Sequence, residues 1–396
     1  MILRFENCEL CPETHELRID GNVVAVEPQV FDILKLFAER PGDLITRDEL
    51  VDAIWDGRIV SDSAISARIS AARSAIGDDG GSQRLIKTVP RRGFRFLGEV
   101  VSVGNGNPSP SVESPPSPAQ ATQRIRFCHS ADSTRLGYAT TGHGYPLLRA
   151  GHWITHLEHD WQSPLWHPFL ERLNEHFELT RYDQRGNGLS DWAVDDFSLD
   201  RCVEDMEAVV AAAELDRFAL YGTSQGGPIA VAYAAKYPDR VSHLILHGGY
   251  VKGRLQRGTA EERENSDAWI TLIRNVWGRP GPFQQAFASM FIPEGSREQI
   301  DCLKDLQEKT TSPETAAKLR LHTDSFDVSD MLDKIDVPTL VMHARGDGVQ
   351  PLDQGLQLAS GIKNAEFVML ESSNHTLLEG EPAWEVFFSE LQRFIR

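Results

Sequence analysis

Ser224 sits between two glycines in Gly222-Thr-Ser-Gln-Gly226, at the end of the apolar run FALYGT and just before the helix-like stretch PIAVAYAAKYP. A serine hydroxyl can attack a carbonyl carbon only if it is held out on a sharp strand-to-helix turn. A glycine two residues to either side lets that turn close without a side chain in the way. The pattern therefore offers nucleophilic acyl chemistry, with Ser224 as the attacking group. Two later residues are of the types such a serine needs. The apolar strand VPTLVMHA (337–344) runs into a loop carrying Asp347, and the strand AEFVMLE (365–371) runs into a loop carrying His375. Alone, Asp347 reads equally as a turn residue and His375 as a neighbour of a helix cap. Their order after the serine, each just beyond a strand, favours a shared site.

The elements that would position these groups lie in residues 125–396. Upstream, VSVGNGNPSPSVESPPSPAQATQR (101–124) is dense in proline, serine and glycine and nearly free of large apolar side chains, the composition of a linker. It separates an N-terminal domain, 1–100, from a C-terminal one, 125–396, each long enough for its own core. Short strand-like pieces open the first domain. A helix over Pro28 to Glu39 puts Val30, Leu34, Phe37 and Ala38 on one face and stops at Pro41-Gly42. A second begins at Thr46, with Glu49 at capping-box spacing, and runs to about Trp55. A third, Asp62 to Ile76, aligns Ile65, Ile69, Ala72 and Ile76. Its other side carries Ser63, Ala67, Ser70 and Ser74, flanked by Arg68 and Arg73. Such a face can approach DNA closely while the arginines reach bases or phosphates. RLIKTVPRRGFRF then reads as two short strands about a basic turn.

The formal net charge of −18 argues against nucleic-acid affinity spread over the whole chain, so its distribution matters more than its sum. Residues 1–57 carry 5 basic and 13 acidic side chains, whereas residues 58–98 carry 8 basic and 3 acidic. That local reversal is the footprint a phosphate-neutralising element needs. No run approaches the roughly 18 apolar residues of a membrane span, and MILRFENCEL does not read as a signal peptide. The five scattered cysteines make no disulfide framework, so a cytoplasmic location without a membrane partner is expected. Cys8 and Cys11 read as part of a strand and turn. The histidine-rich GHWITHLEHDWQSPLWH lacks a strong zinc spacing, so neither metal nor cofactor is expected.

Residues 1–98 resemble the winged-helix DNA-binding domain of the OmpR/PhoB class, in EPQVFDILKLFAERPGDLITRDELVDAIW, SDSAISARISAARSAIGDD and IKTVPRRGFRF. The resemblance implies double-stranded DNA as a partner and Asp62 to Ile76 as the recognition helix, offering Ser63, Ala67, Arg68, Ser70 and Arg73. It also implies that Lys87, Thr88, Arg91 and Arg92 form the wing or its approach. With no receiver domain among these residues, control is expected to come from the C-terminal domain.

Residues 125–396 resemble the α/β-hydrolase superfamily. Besides the serine turn, RYDQRGNGLSDW matches its D-x-R-G-x-G-x-S segment, and NHTLLEGEPAW resembles its histidine segment, with the glutamate-proline pair Glu381-Pro382 downstream of His375. The resemblance implies a doubly wound, mostly parallel sheet with helices on both faces and a helical cap inserted at about 248–333. It implies Ser224 as nucleophile, His375 as general base and then acid, and Asp347 as the carboxylate that orients the imidazole. An oxyanion hole would come from the backbone N–H groups of Gln225 and His152, the latter in Ala150-Gly151-His152, where the superfamily usually has His-Gly-x. Trp153, Trp277 and Phe287 are expected to line an apolar cleft, and Asp183 and Arg185 read as a structural pair. Serine at this position argues against dehalogenase and epoxide-hydrolase chemistry, which uses an aspartate there; ester, thioester, lactone, amide and activated C–C cleavage stay open.

Joined, the two domains read as a one-component transcriptional regulator whose hydrolase domain binds, and is expected to hydrolyse, a small acyl compound. A sensor with an idle triad and an enzyme merely recruited through its winged helix are the rival readings. The sequence leaves homo-oligomer formation open.

Overall fold

Antiparallel pairing organises the N-terminal residues. Strands β1 (Ile2–Phe5), β2 (Cys8–Cys11), β3 (Glu16–Ile19) and β4 (Asn22–Val24) form a meander, followed by helix α1 (Pro28–Glu39). Then come β5 (Leu44–Thr46), α2 (Arg47–Trp55), α3 (Asp62–Ala75), β6 (Ile86–Val89), β7 (Gly93–Phe96) and β8 (Val101–Val103). One sheet has the order β4-β3-β2-β1-β8 and a second the order β5-β7-β6. The expected linker thus loses its first three residues to β8, which pairs with β1, and its last, Arg124, to a strand of the second domain. Residues 104–122 lie outside the described residues, which are 2–5, 8–11, 16–19, 22–24, 26–55, 62–78, 83–89, 92–98, 100–103 and 123–395 of this computed structural model. The chain divides into two compact units, Met1–Pro115 and Pro116–Arg396.

The apolar stripes of α1 and α3 face one core. Val30, Leu34, Phe37 and Ala38 are buried with Ile65, Ile69, Ala72 and Ile76, and the Phe96 ring packs 5.1 Å from Phe5 and 6.3 Å from Phe37. Each large side chain so buried contributes about 1.5–3 kcal/mol. The capping box forms as its spacing predicts. Thr46 N–H donates to Glu49 Oε2 at 2.6 Å and Glu49 N–H to Thr46 Oγ1 at 3.2 Å, satisfying two donors at the start of α2.

The second unit begins with β9 (Arg124–His129), β10 (Arg135–Gly142) and β11 (Tyr145–Arg149), then α4 (Leu157–Gln162), α5 (His167–Asn174) and β12 (Phe177–Tyr182). It continues with α6 (Leu199–Ala212), β13 (Phe218–Thr223), α7 (Gly226–Lys236) and β14 (Val241–His247). Four helices intervene before the next strand: α8 (Ala260–Val276), α9 (Pro282–Phe291), α10 (Arg297–Thr310) and α11 (Pro313–Asp324). They lie within the span 248–333 in which a helical cap is expected. The chain ends with β15 (Thr339–Ala344), α12 (Leu352–Gly361), β16 (Glu366–Leu370) and α13 (Pro382–Phe394).

The eight strands lie in the order β16-β15-β14-β13-β11-β12-β10-β9. All pairs are parallel except those of β10, which is antiparallel to both β9 and β12. All six residues of β13 are buried, as befits a strand covered on both faces, by one core with α6 and α7 and by another with α5 and α13. From β11 the chain goes to β12 on one side, and β13 lies on the other. That switch leaves a crevice at the carboxyl ends of β11 and β13, where open α/β sheets bind their ligands. No described helix is long and apolar enough to cross a membrane.

Candidate active site

The crevice receives the two loops expected to hold the reacting groups, Ala150-Gly151-His152 after β11 and Ser224 after β13. Ser224 has φ +53°, the left-handed conformation of a strained strand-to-helix turn. Its N–H donates to the His247 carbonyl at 3.0 Å, and its own carbonyl accepts from Gly227 N–H at 3.0 Å, so the turn is held from both sides. The flanking glycines are needed for space. A Cβ on Gly222 would stand 2.6 Å from the Gly226 carbonyl oxygen, and one on Gly226 would stand 3.1 Å from the Gly151 carbonyl oxygen.

His375 and Asp347 converge on this turn from the loops after β16 and β15. His375 Nδ1 lies 2.7 Å from Asp347 Oδ2, while Asp347 Oδ1 accepts from the N–H groups of Val349 and Gln350 at 2.8 and 2.9 Å. Burial alone would raise the Asp347 carboxyl, but His375, the Gln350 amide and His343 together hold it below its ordinary value. The Asp347–His375 contact directs His375 Nε2 to the opposite side, where it is buried and has no hydrogen-bond partner. The histidine loop is latched by Glu381, six residues after His375 and directly before Pro382. Its carboxylate accepts from Leu378 N–H at 2.6 Å, Ser372 Oγ at 2.6 Å and Asn374 Nδ2 at 3.2 Å. The cap contributes as well, because His375 N–H donates to the Phe291 carbonyl at the end of α9, at 2.8 Å.

Ala150 leaves the expected oxyanion loop without the histidine side chain usual in the superfamily, and a different device holds it. Gln184 Nε2 donates to the His152 carbonyl at 2.9 Å, and Gln184 Oε1 accepts from Gln225 Nε2 at 2.9 Å. Sequence reading missed Gln184, the variable position of D-x-R-G; only its long polar side chain beside two buried loops could have signalled it.

A cavity of about 20 Å³ adjoins Ser224 and His375, lined also by His152, Trp153, Ile154, Trp166, Thr223, Phe291, Leu303 and Thr376. Trp153 is among these lining residues. Trp277 and Phe287 are not, and their assignment to the wall of this cavity is corrected. They pack behind Trp153, with ring centroids 6.0 and 6.3 Å from it, because the cap helices need an aromatic core of their own. Trp166, which sequence reading passed over, takes a place in the wall instead.

Asp183 and Arg185 serve separate partners and do not pair with each other. Arg185 is buried in a fork to Asp205 at 2.6 and 2.7 Å with a further contact to Asp132, while Asp183 Oδ2 accepts from Leu157 N–H at 3.1 Å and Leu189 N–H at 2.9 Å. Among the described residues no group of three or more His, Cys, Asp or Glu side chains could hold a metal ion.

In the N-terminal unit Ser70, Lys87 and Arg92 are exposed, Arg68 pairs with Glu27, and Thr88 is half-buried. Arg73 does not join them. It is buried and donates to the Ile86 carbonyl at 3.0 and 2.7 Å and to Thr88 Oγ1 at 2.8 Å, so it ties α3 to β6. Its assignment to the DNA-contacting face is corrected, since position 73 falls next to Ala72 on the side that packs against the sheet. The side chains of Ser63 and Ala67, and all of Arg91, lie outside the described residues.

Comparison with known proteins places both units. Residues 143–293 match the α/β hydrolase fold family, and residues 21–96 match the family of transcriptional regulatory protein C-terminal domains. The transcriptional activator CadC of Escherichia coli is 31% identical over 101 residues, 25% of this chain and 20% of its own length. A pimeloyl-[acyl-carrier protein] methyl ester esterase of Nitrosomonas europaea is 27% identical over 244 residues, 60% of this chain and 90% of its own. The crystal structure of a hydrolase from Pseudomonas aeruginosa shares the fold, with a TM-score of 0.58 and 22% identity over 68% of this chain and 98% of that one. The protein therefore joins a winged-helix DNA-binding domain of transcriptional regulators to an α/β-hydrolase domain related to esterases.

Proposed function

We propose that the protein is a cytoplasmic one-component transcriptional regulator whose hydrolase domain binds and hydrolyses a small acyl compound, with occupancy of the Ser224 pocket altering DNA binding. The observation that carries the reading is His375, with its Nδ1 2.7 Å from Asp347 Oδ2, its Nε2 buried without a partner, and a cavity that it lines together with Ser224. In this mechanism Ser224 Oγ attacks the acyl carbon as its proton passes to His375 Nε2. The carbonyl oxygen gathers negative charge, which the N–H groups of Gln225 and His152 stabilise. Collapse breaks the bond to the leaving group, which takes the proton from His375 and departs as alcohol, thiol or amine. Water then repeats the sequence on the acyl-enzyme, giving the acid and restoring Ser224. Asp347 stays ionised and keeps the imidazole oriented. The esterase relative supports acyl chemistry for this domain, and the exposed Lys87 and Arg92 support phosphate contacts by the other.

The test is labelling with a fluorophosphonate probe, located by mass spectrometry, with Ser224→Ala as control and promoter binding measured before and after. Rapid labelling confined to Ser224 and a change in DNA affinity are expected. A folded protein that resists labelling would be a sensor with an idle triad.

A further inference from the structure

Three side-chain nitrogens on residues that line the cavity beside Ser224 have no place in the mechanism above. His152 Nε2, Trp153 Nε1 and Trp166 Nε1 are all buried and all lack a hydrogen-bond partner, and their three residues line the cavity together with His375. The residues are 5%, 6% and 9% exposed, so bulk water does not satisfy these atoms. An orphaned buried polar group costs about 1–3 kcal/mol, so three on residues that line one cavity call for a partner that this cavity could hold.

The hydrogen-bonding sense of each atom follows from chemistry. An indole N–H can only donate. His152 Nδ1 lies 3.0 Å from the Trp153 carbonyl oxygen, an acceptor, so Nδ1 carries the proton and Nε2 presents a lone pair. Burial, reinforced by Arg149, keeps this imidazole neutral by pushing it well below its ordinary value. The wall thus offers donors and an acceptor together. A methyl group satisfies neither kind, whereas a hydroxyl satisfies both. At about 20 Å³ the cavity admits little more than one water-sized group, for which about 10–15 Å³ suffices.

We propose that the acyl group taken by Ser224 is short, of two-carbon size, and carries a hydroxyl on the carbon next to the carbonyl, read by the indole N–H groups of Trp153 and Trp166 and by His152 Nε2. The inference rests on the reading of Ser224 as the acylated residue and sharpens it to a substrate class. A hydroxyl-reading site rejects an isostere without the hydroxyl strongly, where a plain apolar pocket discriminates only weakly.

Methyl glycolate and methyl propionate provide the test, because they differ by a hydroxyl in place of a methyl. With the full-length protein, kcat/KM is expected to favour methyl glycolate by at least about 100-fold. That ratio should fall toward one in Trp153→Phe and Trp166→Phe, which remove one donor each. Binding of the same two esters to Ser224→Ala, followed by tryptophan fluorescence, should show the same preference without turnover. Equal kcat/KM for the two esters, or equal affinity in Ser224→Ala, would mean that the orphaned nitrogens hold only water and would overturn the inference. Preferential binding of glycolate without hydrolysis would leave the pocket as inferred and instead refute Ser224 as an active nucleophile.

Discussion

Gln184 donates its side-chain amide to the His152 carbonyl oxygen at 2.9 Å, and so fixes from behind the peptide whose neighbour must face the developing oxyanion. The same side chain accepts from Gln225, so one residue braces both donors of the expected oxyanion hole. In Gln184→Leu the shape is nearly kept and both hydrogen bonds are lost. Loss of a whole oxyanion donor costs about 10²–10³ in kcat, so a fall of about 10–100-fold for a short-chain ester, with KM changed much less, is expected from loosened donors. Thermal unfolding of the same variant should show a loss of about 1–3 kcal/mol, since the His152 carbonyl is left buried and unpaired.

Ser224 exchanges stability for position. Held at φ +53°, it carries strain that glycine would not. Ser224→Gly is expected to abolish fluorophosphonate labelling while raising the unfolding free energy by up to about 1 kcal/mol, whereas Ser224→Ala abolishes labelling without that gain. A Ser224→Gly variant less stable than Ser224→Ala would show that the turn is not strained.

Acid should expose the cost of a buried histidine. Burial, with His375 and His343 nearby, lowers His247 to about 3, although its Nδ1 meets the Tyr221 hydroxyl at 3.1 Å. Between its unfolded value near 6.5 and that folded value, the unfolded chain binds a proton that the folded chain refuses, so stability falls as pH falls across this window. At pH 5 the loss relative to pH 7.5 is about 2 kcal/mol from this group. The stability difference between wild type and His247→Gln, measured by denaturant titration at both pH values, should therefore narrow by about that amount on acidification.

The corrected role of Arg73 separates two outcomes in the N-terminal domain. Lys87→Ala and Arg92→Ala should leave folding intact, weaken DNA binding for all sequences alike, and each reduce the salt dependence by about one unit of slope. Arg73→Ala should instead lower thermal stability, because it strands the Ile86 carbonyl and unties α3 from β6. A stable Arg73→Ala protein with a DNA-binding defect alone would restore that arginine to the contacting face.

Much of the molecule is legible in its sequence. Strand-to-turn patterns locate Ser224, Asp347 and His375 because each follows an apolar run whose direction the parallel sheet fixes, and helical periodicity locates the first core because Val30, Phe37, Ile65 and Ile69 repeat at helical spacing. What stays hidden depends on which way a side chain turns. Arg73 lies near the boundary between the buried and exposed faces of α3, where periodicity does not discriminate and a hydrogen bond to Ile86 decides. Trp277 and Phe287 look the same in sequence whether they line a cavity or fill the cap. Gln184 acts through two contacts that are 32 and 41 residues away in the chain, beyond the reach of any local pattern.

The bond from His375 N–H to the Phe291 carbonyl ties α9 to the loop that carries the candidate general base. On the proposed reading, a cap that lifted to admit ligand would give up that bond and leave His375 held by Asp347 and the Glu381 latch alone. On the proposed reading the closed, occupied state is also what the DNA-binding domain senses. The acyl-enzyme's lifetime then becomes the duration of the transcriptional signal, and a slow deacylation step would serve as a clock.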